Sequence, residues 1–148
     1  MKQITYLSLL AATVIFGSIS AIPVNAGVQE VTLYKNPQCQ CCEGYAKYLR
    51  NNGFSVTVKP THELVAMSRE VGLADKFQGC HLSQVDDYFV SGHVPVATVN
   101  KLLTERPDIK GITLPGMPQG SPGMGGSKSK PFTVYSISGG KPLVYAVD

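Results

Sequence analysis

Residues 31–59, VTLYKNPQCQCCEGYAKYLRNNGFSVTVK, constrain the fold more than any other part of the chain. VTLYK at 31–35 is β-branched and aromatic, the composition of a strand, and it runs straight into a turn through Asn36-Pro37. Beyond the turn, Cys42, Tyr45, Ala46 and Leu49 fall at i, i+3, i+4 and i+7, which is one face of a helix. Gly53 ends that helix as a C-terminal cap, and FSVTVK at 54–59 alternates as a strand does. Pro60-Thr61 then open a second helix with Glu63 in its first turn. Leu64, Met67 and Val71 are expected to face inward, and Gly72 stops the helix. Strand, turn, helix, strand, helix predicts an α/β domain that opens with a right-handed crossover.

The remainder is punctuated more loosely. A short strand is expected at Tyr88–Val90, followed by a loop holding His93 and Pro95. A helix runs from about Val96 to Leu103, with Val96, Val99 and Leu103 on one face, and Arg106-Pro107 close it. Ile112–Leu114 reads as another short strand. Residues 115–131, PGMPQGSPGMGGSKSKP, are nearly all Gly, Pro, Ser, Met and Lys, a long loop of the kind that is functional or disordered. The last segment, FTVYSISGGKPLVYAV, reads as a β-hairpin over Gly139-Gly140.

The first 26 residues have a different character. Lys2, an apolar run from Ile4 to about Val24 and small residues up to Ala26 form the pattern of a secretory signal peptide, with cleavage expected between Ala26 and Gly27. The alternative is an uncleaved membrane anchor, because the run is just long enough to span. Ser8, Ser18, Ser20 and Pro23 weaken that alternative. The expected mature chain, residues 27–148, is one domain and has no other segment able to cross a bilayer. Removing Lys2 leaves 12 basic residues against 10 acidic ones, a net charge of about +2. That is too weak and too evenly spread to argue for nucleic acid or an anionic membrane surface.

Export alters how the four cysteines are read, since thiols outside the cytosol tend toward disulfides. About 120 residues can build a core without such staples, so cysteines concentrated at one turn point to chemistry. Cys39, Cys41 and Cys42 lie at the end of the first strand and the start of the first helix. There the helix dipole and free amide N–H groups favour thiolate over thiol. Cys39 and Cys42 are one helical turn apart and can form a disulfide or chelate; Cys41 points about 100° away if the helix has already begun, whereas a loop conformation at Gln40 would bring it in. Cys80 is a distant soft ligand, followed by His81 as a second nitrogen or a packed side chain, and His93 lies beside Pro95 in a glycine-containing loop. Met117 and Met124 sit in a loop with no core for a thioether to fill. Met67 reads as core by its helical spacing, and His62 as a solvated surface residue. Thiolate, thioether and imidazole together select copper(I) over magnesium, calcium or manganese, with zinc the weaker alternative.

These segments closely resemble one family. VTLYKNPQCQCCEGYAKYLRNNGFSV together with GHVPVATVNKLLTERPDIKGITLPGMPQGSPGM is similar to the CopG-type copper-resistance proteins of Gram-negative bacteria, marked by Cys-x-Cys-Cys. The resemblance covers essentially the whole expected mature chain. It implies a thioredoxin-like three-layer α/β fold and a periplasmic copper-binding protein that interconverts copper(I) and copper(II) alongside copper-efflux components or another periplasmic redox protein. It also implies a thiolate-bridged, multinuclear copper cluster. Cys39, Cys41 and Cys42 are the signature itself, while Cys80, His93, Met117 and Met124 occupy the matching later segments and are carried over as further metal ligands. On this reading a third cysteine retains metal while an exchanging pair, Cys39 and Cys42, changes redox state. Two other functions remain open: a thiol–disulfide oxidoreductase acting on proteins, with Cys39 attacking and Cys42 resolving, and a passive copper chaperone or store. A monomer is expected.

Overall fold

The computed structural model describes residues 27–148. The expected signal peptide lies outside the described residues. Among the described residues, seven strands form one mixed sheet, with three α-helices. Strand β1 (Glu30–Lys35) leads through the cysteine turn into helix α1 (Gln40–Asn51), and β2 (Ser55–Pro60) then pairs with β1 in parallel. Helix α2 (Leu64–Glu70) and a 3-10 turn (Asp75–Phe77) precede β3 (His81–Val85) and β4 (Tyr88–Ser91). Helix α3 (Val96–Glu105), β5 (Gly111–Thr113), β6 (Thr133–Ile137) and β7 (Val144–Val147) complete the chain. The spatial order is β2-β1-β3-β4-β5-β6-β7, with β1 antiparallel to β3, β3 to β4, β5 to β6 and β6 to β7, and β4 parallel to β5. No described helix is long and apolar enough to cross a membrane.

The face of α1 read from spacing is the face that is buried, namely Cys42, Tyr45, Ala46 and Leu49. These pack with Val31 and Leu33 of β1, Val85 of β3, Val90 of β4 and Val99 and Leu102 of α3 into one apolar cluster. Each large aliphatic or aromatic side chain buried there contributes on the order of 1.5–3 kcal/mol.

Three local expectations are corrected. Helix α2 has only two turns, and its buried residue is Ser68, whose hydroxyl donates to the Leu64 carbonyl at 2.8 Å; Met67 is only half-buried and outside the main core. In α3 the buried residues are Thr98, Val99 and Leu102, so the inward face is rotated from the one predicted, with Val96 and Leu103 partly buried at its margins. Strand β3, HLSQV, was not anticipated: it carries three polar residues in five and lacks the apolar signature of a strand. It is nevertheless central, held between β1 and β4. The expected hairpin over Gly139-Gly140 is the antiparallel β6–β7 pair, and no strand or helix falls within residues 115–131.

Candidate metal centre

The site is assembled by strand register. Lys35 pairs with His81 across β1 and β3, so the residue before His81, Cys80, comes level with the turn that leads into α1. Leu82 pairs with Ser91 across β3 and β4. Two residues further along each strand, that register sets Cys80 opposite His93. A two-residue slip in either pairing would displace Cys80 by about 7 Å and dismantle the site.

The turn itself is fixed by Lys35, which ends β1 on its core face and is only 4% exposed. Its ammonium donates to the carbonyls of Asn36, Pro37 and Cys39 at 3.4, 3.2 and 3.1 Å and pairs with the Glu43 carboxylate at 3.1 Å. Cys39 is the N-cap of α1, with no side-chain cap of its own, and Cys41 and Cys42 follow in the first turn.

Cys39 and Cys42 form a disulfide, and Cys41 and Cys80 are free thiols. Cys41 does not turn away from the pair. Its sulfur lies 3.4 Å from Cys39 Sγ and 3.9 Å from Cys80 Sγ, because Cys39 stands at the cap and Cys80 approaches from β3. Cys42 is fully buried, and its sulfur touches the Cys80 carbonyl oxygen at 3.3 Å. Cys80 Sγ is in turn 3.0 Å from His93 Nε2 and 3.6 Å from His81 Nδ1. Two overlapping donor sets result, Cys39–Cys41–Cys42–Cys80 and Cys42–Cys80–His81–His93, each with its ligand atoms within 4.8 Å of one another.

Protonation at the site is governed by burial. His93 Nδ1 lies 2.6 Å from the Pro122 carbonyl, which can only accept, so Nδ1 carries the proton and Nε2 turns a lone pair toward Cys80. Burial lowers the His93 pKa, so the imidazole is neutral at pH 7. His81 is fully buried, and desolvation, reinforced by His93, depresses its pKa to about 3. Burial pushes the Cys80 thiol up to about 12, with Cys41 adding to the rise. Without metal, Cys80 is therefore a thiol that donates to His93 Nε2. The Tyr45 ring packs against both imidazoles, at 4.6 and 5.2 Å between centroids, and its hydroxyl donates to the Val94 carbonyl at 2.8 Å.

The Gly/Pro/Met-rich loop closes over this arrangement through glycine. A Cβ on Gly44 would lie 2.7 Å from the Gly123 carbonyl oxygen, so only glycine lets the loop rest on α1 and bring Pro122 to His93. Met124, next to Gly123, is half-buried, whereas Met117 is 43% exposed and has a φ of +44°. Gly92, with a φ of +75°, performs a similar function beneath His93, since a Cβ there would meet the Leu114 carbonyl oxygen at 2.3 Å.

The structure thus brings together Cys39, Cys41, Cys42, Cys80 and His93, and adds His81, which sequence spacing left open. Lys35 and Tyr45 were not anticipated as supports. The two-residue Asp86-Asp87 turn between HLSQV and YFVS was the signal for the hairpin that aligns Cys80 with His93. The donors are four sulfurs and two imidazoles, with no carboxylate in either set, which fits a soft or borderline metal ion. His81 Nε2 is buried without a hydrogen-bond partner, consistent with a site whose polar groups are kept for a ligand.

Fold and site together define a mixed α/β protein with a sulfur-rich donor cluster at a helix N-terminus, suited to soft-metal and thiol chemistry. Two solved structures resemble it along nearly their whole length. "Copper resistance protein copG- Form 2" is 34% identical, with a TM-score of 0.74 and coverage of 81% of this chain and 98% of that one. "Copper resistance protein copG- Form 1" is 35% identical, with a TM-score of 0.73 and coverage of 80% and 96%. The chain belongs to the CopG-type copper-resistance family. Residues 77–124, the stretch that carries Cys80, His81, His93, Met117 and Met124, also match a family described as "Protein of unknown function, DUF411". No curated protein matches the chain.

Proposed function

We propose that this chain is an exported copper-binding protein that interconverts copper(II) and copper(I) at its cysteine cluster, with copper as substrate. The observation that carries the reading is the cluster itself: four sulfurs within 4.8 Å of one another, two joined as a disulfide and two free. Two thiols that become a disulfide release two protons and two electrons, enough to reduce two copper(II) ions to copper(I). Thiolate and imidazole ligands then favour the copper(I) product. Cys39 and Cys42 are the exchanging pair. Cys41, Cys80, His93 and His81 retain metal while that pair is oxidised, and Met117 and Met124 offer thioethers from the loop. The order β1-α1-β2-α2-β3-β4-α3 supports a thioredoxin-like three-layer reading of residues 27–148, in which the cysteine turn begins the first helix. The N-terminal 26 residues, read as a signal peptide, support a periplasmic location.

The test is metal content followed by turnover. The reduced protein is loaded anaerobically with copper(I) and zinc in competition, desalted and analysed. More than one copper per chain with zinc excluded, and fewer in Cys41→Ser, is the expected result. One zinc per chain, or unchanged copper number and affinity in Cys41→Ser, would overturn the assignment. A second reading, a thiol–disulfide oxidoreductase acting on proteins, is favoured by the Cys39–Cys42 disulfide at the start of α1. Reduction of insulin by the metal-free protein, independent of Cys80 and His93, would move the assignment to that class.

A further inference from the structure

Cys41 and Cys80 are the sulfurs left outside the disulfide, and they come from elements far apart in sequence, the first turn of α1 and the approach to β3. They lie 3.9 Å apart, and a disulfide requires about 2 Å, so bonding needs a closure of about 2 Å, within reach of side-chain rotation. Cys41 Sγ is also 3.4 Å from Cys39 Sγ, in contact with one end of the existing disulfide. We propose that Cys41 and Cys80 are a second dithiol–disulfide couple, filled by internal exchange with Cys39–Cys42.

The exchange balances within the chain. Cys41, as thiolate, attacks Cys39 Sγ; the Cys39–Cys42 bond breaks, and its electron pair leaves on Cys42, which takes up a proton. Cys80 then passes its proton to the His93 Nε2 lone pair 3.0 Å away and attacks Cys41 in the new Cys39–Cys41 bridge. Cys39 leaves and takes up a proton. The two protons given up by Cys41 and Cys80 reappear on Cys42 and Cys39, so no external oxidant or reductant is consumed. The outcome is a Cys41–Cys80 disulfide beside a regenerated Cys39/Cys42 dithiol. The disulfide moves from a pair that includes the fully buried Cys42 to two half-buried sulfurs, which a thiol from outside can reach.

The consequence for copper rests on the function proposed above and applies once Cys41 and Cys80 have released their metal, since a sulfur in a disulfide no longer holds copper as thiolate. With copper(II) as oxidant, the first disulfide yields two electrons, exchange restores the Cys39/Cys42 dithiol, and a second oxidation yields two more. One chain then delivers four electrons in place of two.

Exchange is tested without metal. The fully reduced protein, with chelator present, receives one equivalent of diamide and is quenched with acid and N-ethylmaleimide before tryptic mapping. Trypsin cuts after Lys35, Lys47, Lys76 and Lys101, so Cys39, Cys41 and Cys42 share one peptide and Cys80 lies in another. A cross-linked pair of these peptides is expected from the wild type, is lost in Cys41→Ser, and forms in the Cys39→Ser/Cys42→Ser double variant. No cross-link in the wild type, or one unchanged in Cys41→Ser, overturns the couple. Electron yield is then counted as copper(I) captured by a chelator after addition of copper(II) to reduced protein. Four per chain are expected from the wild type, and two each from Cys41→Ser and Cys80→Ser. A wild-type yield of two overturns the second couple. A yield of zero from every protein overturns the copper reading, and the cross-linking result then decides exchange alone.

Discussion

Burial of His81 should give the metal-free protein a specific sensitivity to acid. The imidazole is fully buried and its pKa is depressed from 6.5 to about 3, first by desolvation and then by His93. The groups in contact with it, Cys80, Tyr45 and His93, carry no negative charge at pH 5 that would offset protonation. Well above pH 6.5 neither the folded nor the unfolded chain protonates this residue, and the contribution to stability is complete. As pH falls below 6.5 the unfolded chain binds a proton that the folded chain refuses, so stability is lost progressively until the folded pKa is reached. At pH 5, 1.5 units below the unfolded value, the loss is about 2 kcal/mol at 1.36 kcal/mol per unit. His93, lowered by the same cause, adds a loss of the same sign. The assay is urea unfolding of metal-free, disulfide-intact protein at pH 7.5 and 5.0, for the wild type and for His81→Leu, a substitution of similar volume that also removes the unpartnered Nε2. The variant should lose about 2 kcal/mol less than the wild type between the two pH values. Equal losses would mean that His81 is protonated in the folded state at pH 5, and the argument from burial would fail.

Gly44→Ala should lower the melting temperature by a few degrees: a gain of about 1 kcal/mol in helix propensity is outweighed by a Cβ placed 2.7 Å from the Gly123 carbonyl oxygen, whereas Gly125→Ala, with open space around it, should leave the melt within a degree. Lys35→Met should cost about 1–3 kcal/mol in a urea melt and speed reduction of the Cys39–Cys42 disulfide by dithiothreitol, since the carbonyls of Asn36, Pro37 and Cys39 lose a buried donor. Glu43→Gln, which removes only the exposed end of that ion pair, should change stability by less than about 1 kcal/mol in the same melt. In competition with a copper(I) chelator, Met124→Leu should weaken binding more than Met117→Leu, because Met124 is half-buried beside the glycine that rests on α1 while Met117 is exposed.

The parts of the fold that were legible in the sequence are those governed by local periodicity. The buried face of α1 and the strands on either side of it follow from apolar spacing over residues 31–59, because a helix exposes one face every 3.6 residues whatever it packs against. The placement of three cysteines at a helix start follows from the same stretch. Met67 and the exact face of α3 were misread because spacing names an apolar stripe without stating how much sheet is available to cover it. Tertiary structure alone decided which distant donors meet the cysteine turn. Strand β3 reads as polar, yet it lies at the centre of the sheet, and its register with β1 and β4 sets Cys80 against both the α1 cap and His93. Long-range strand pairing leaves no periodic trace in the partners it joins. The convergence of Cys80, His81 and His93 on Cys42, and of Cys80 on Cys41, is therefore a property of the folded sheet, whereas the sulfur chemistry those residues serve was already written in NPQCQCC.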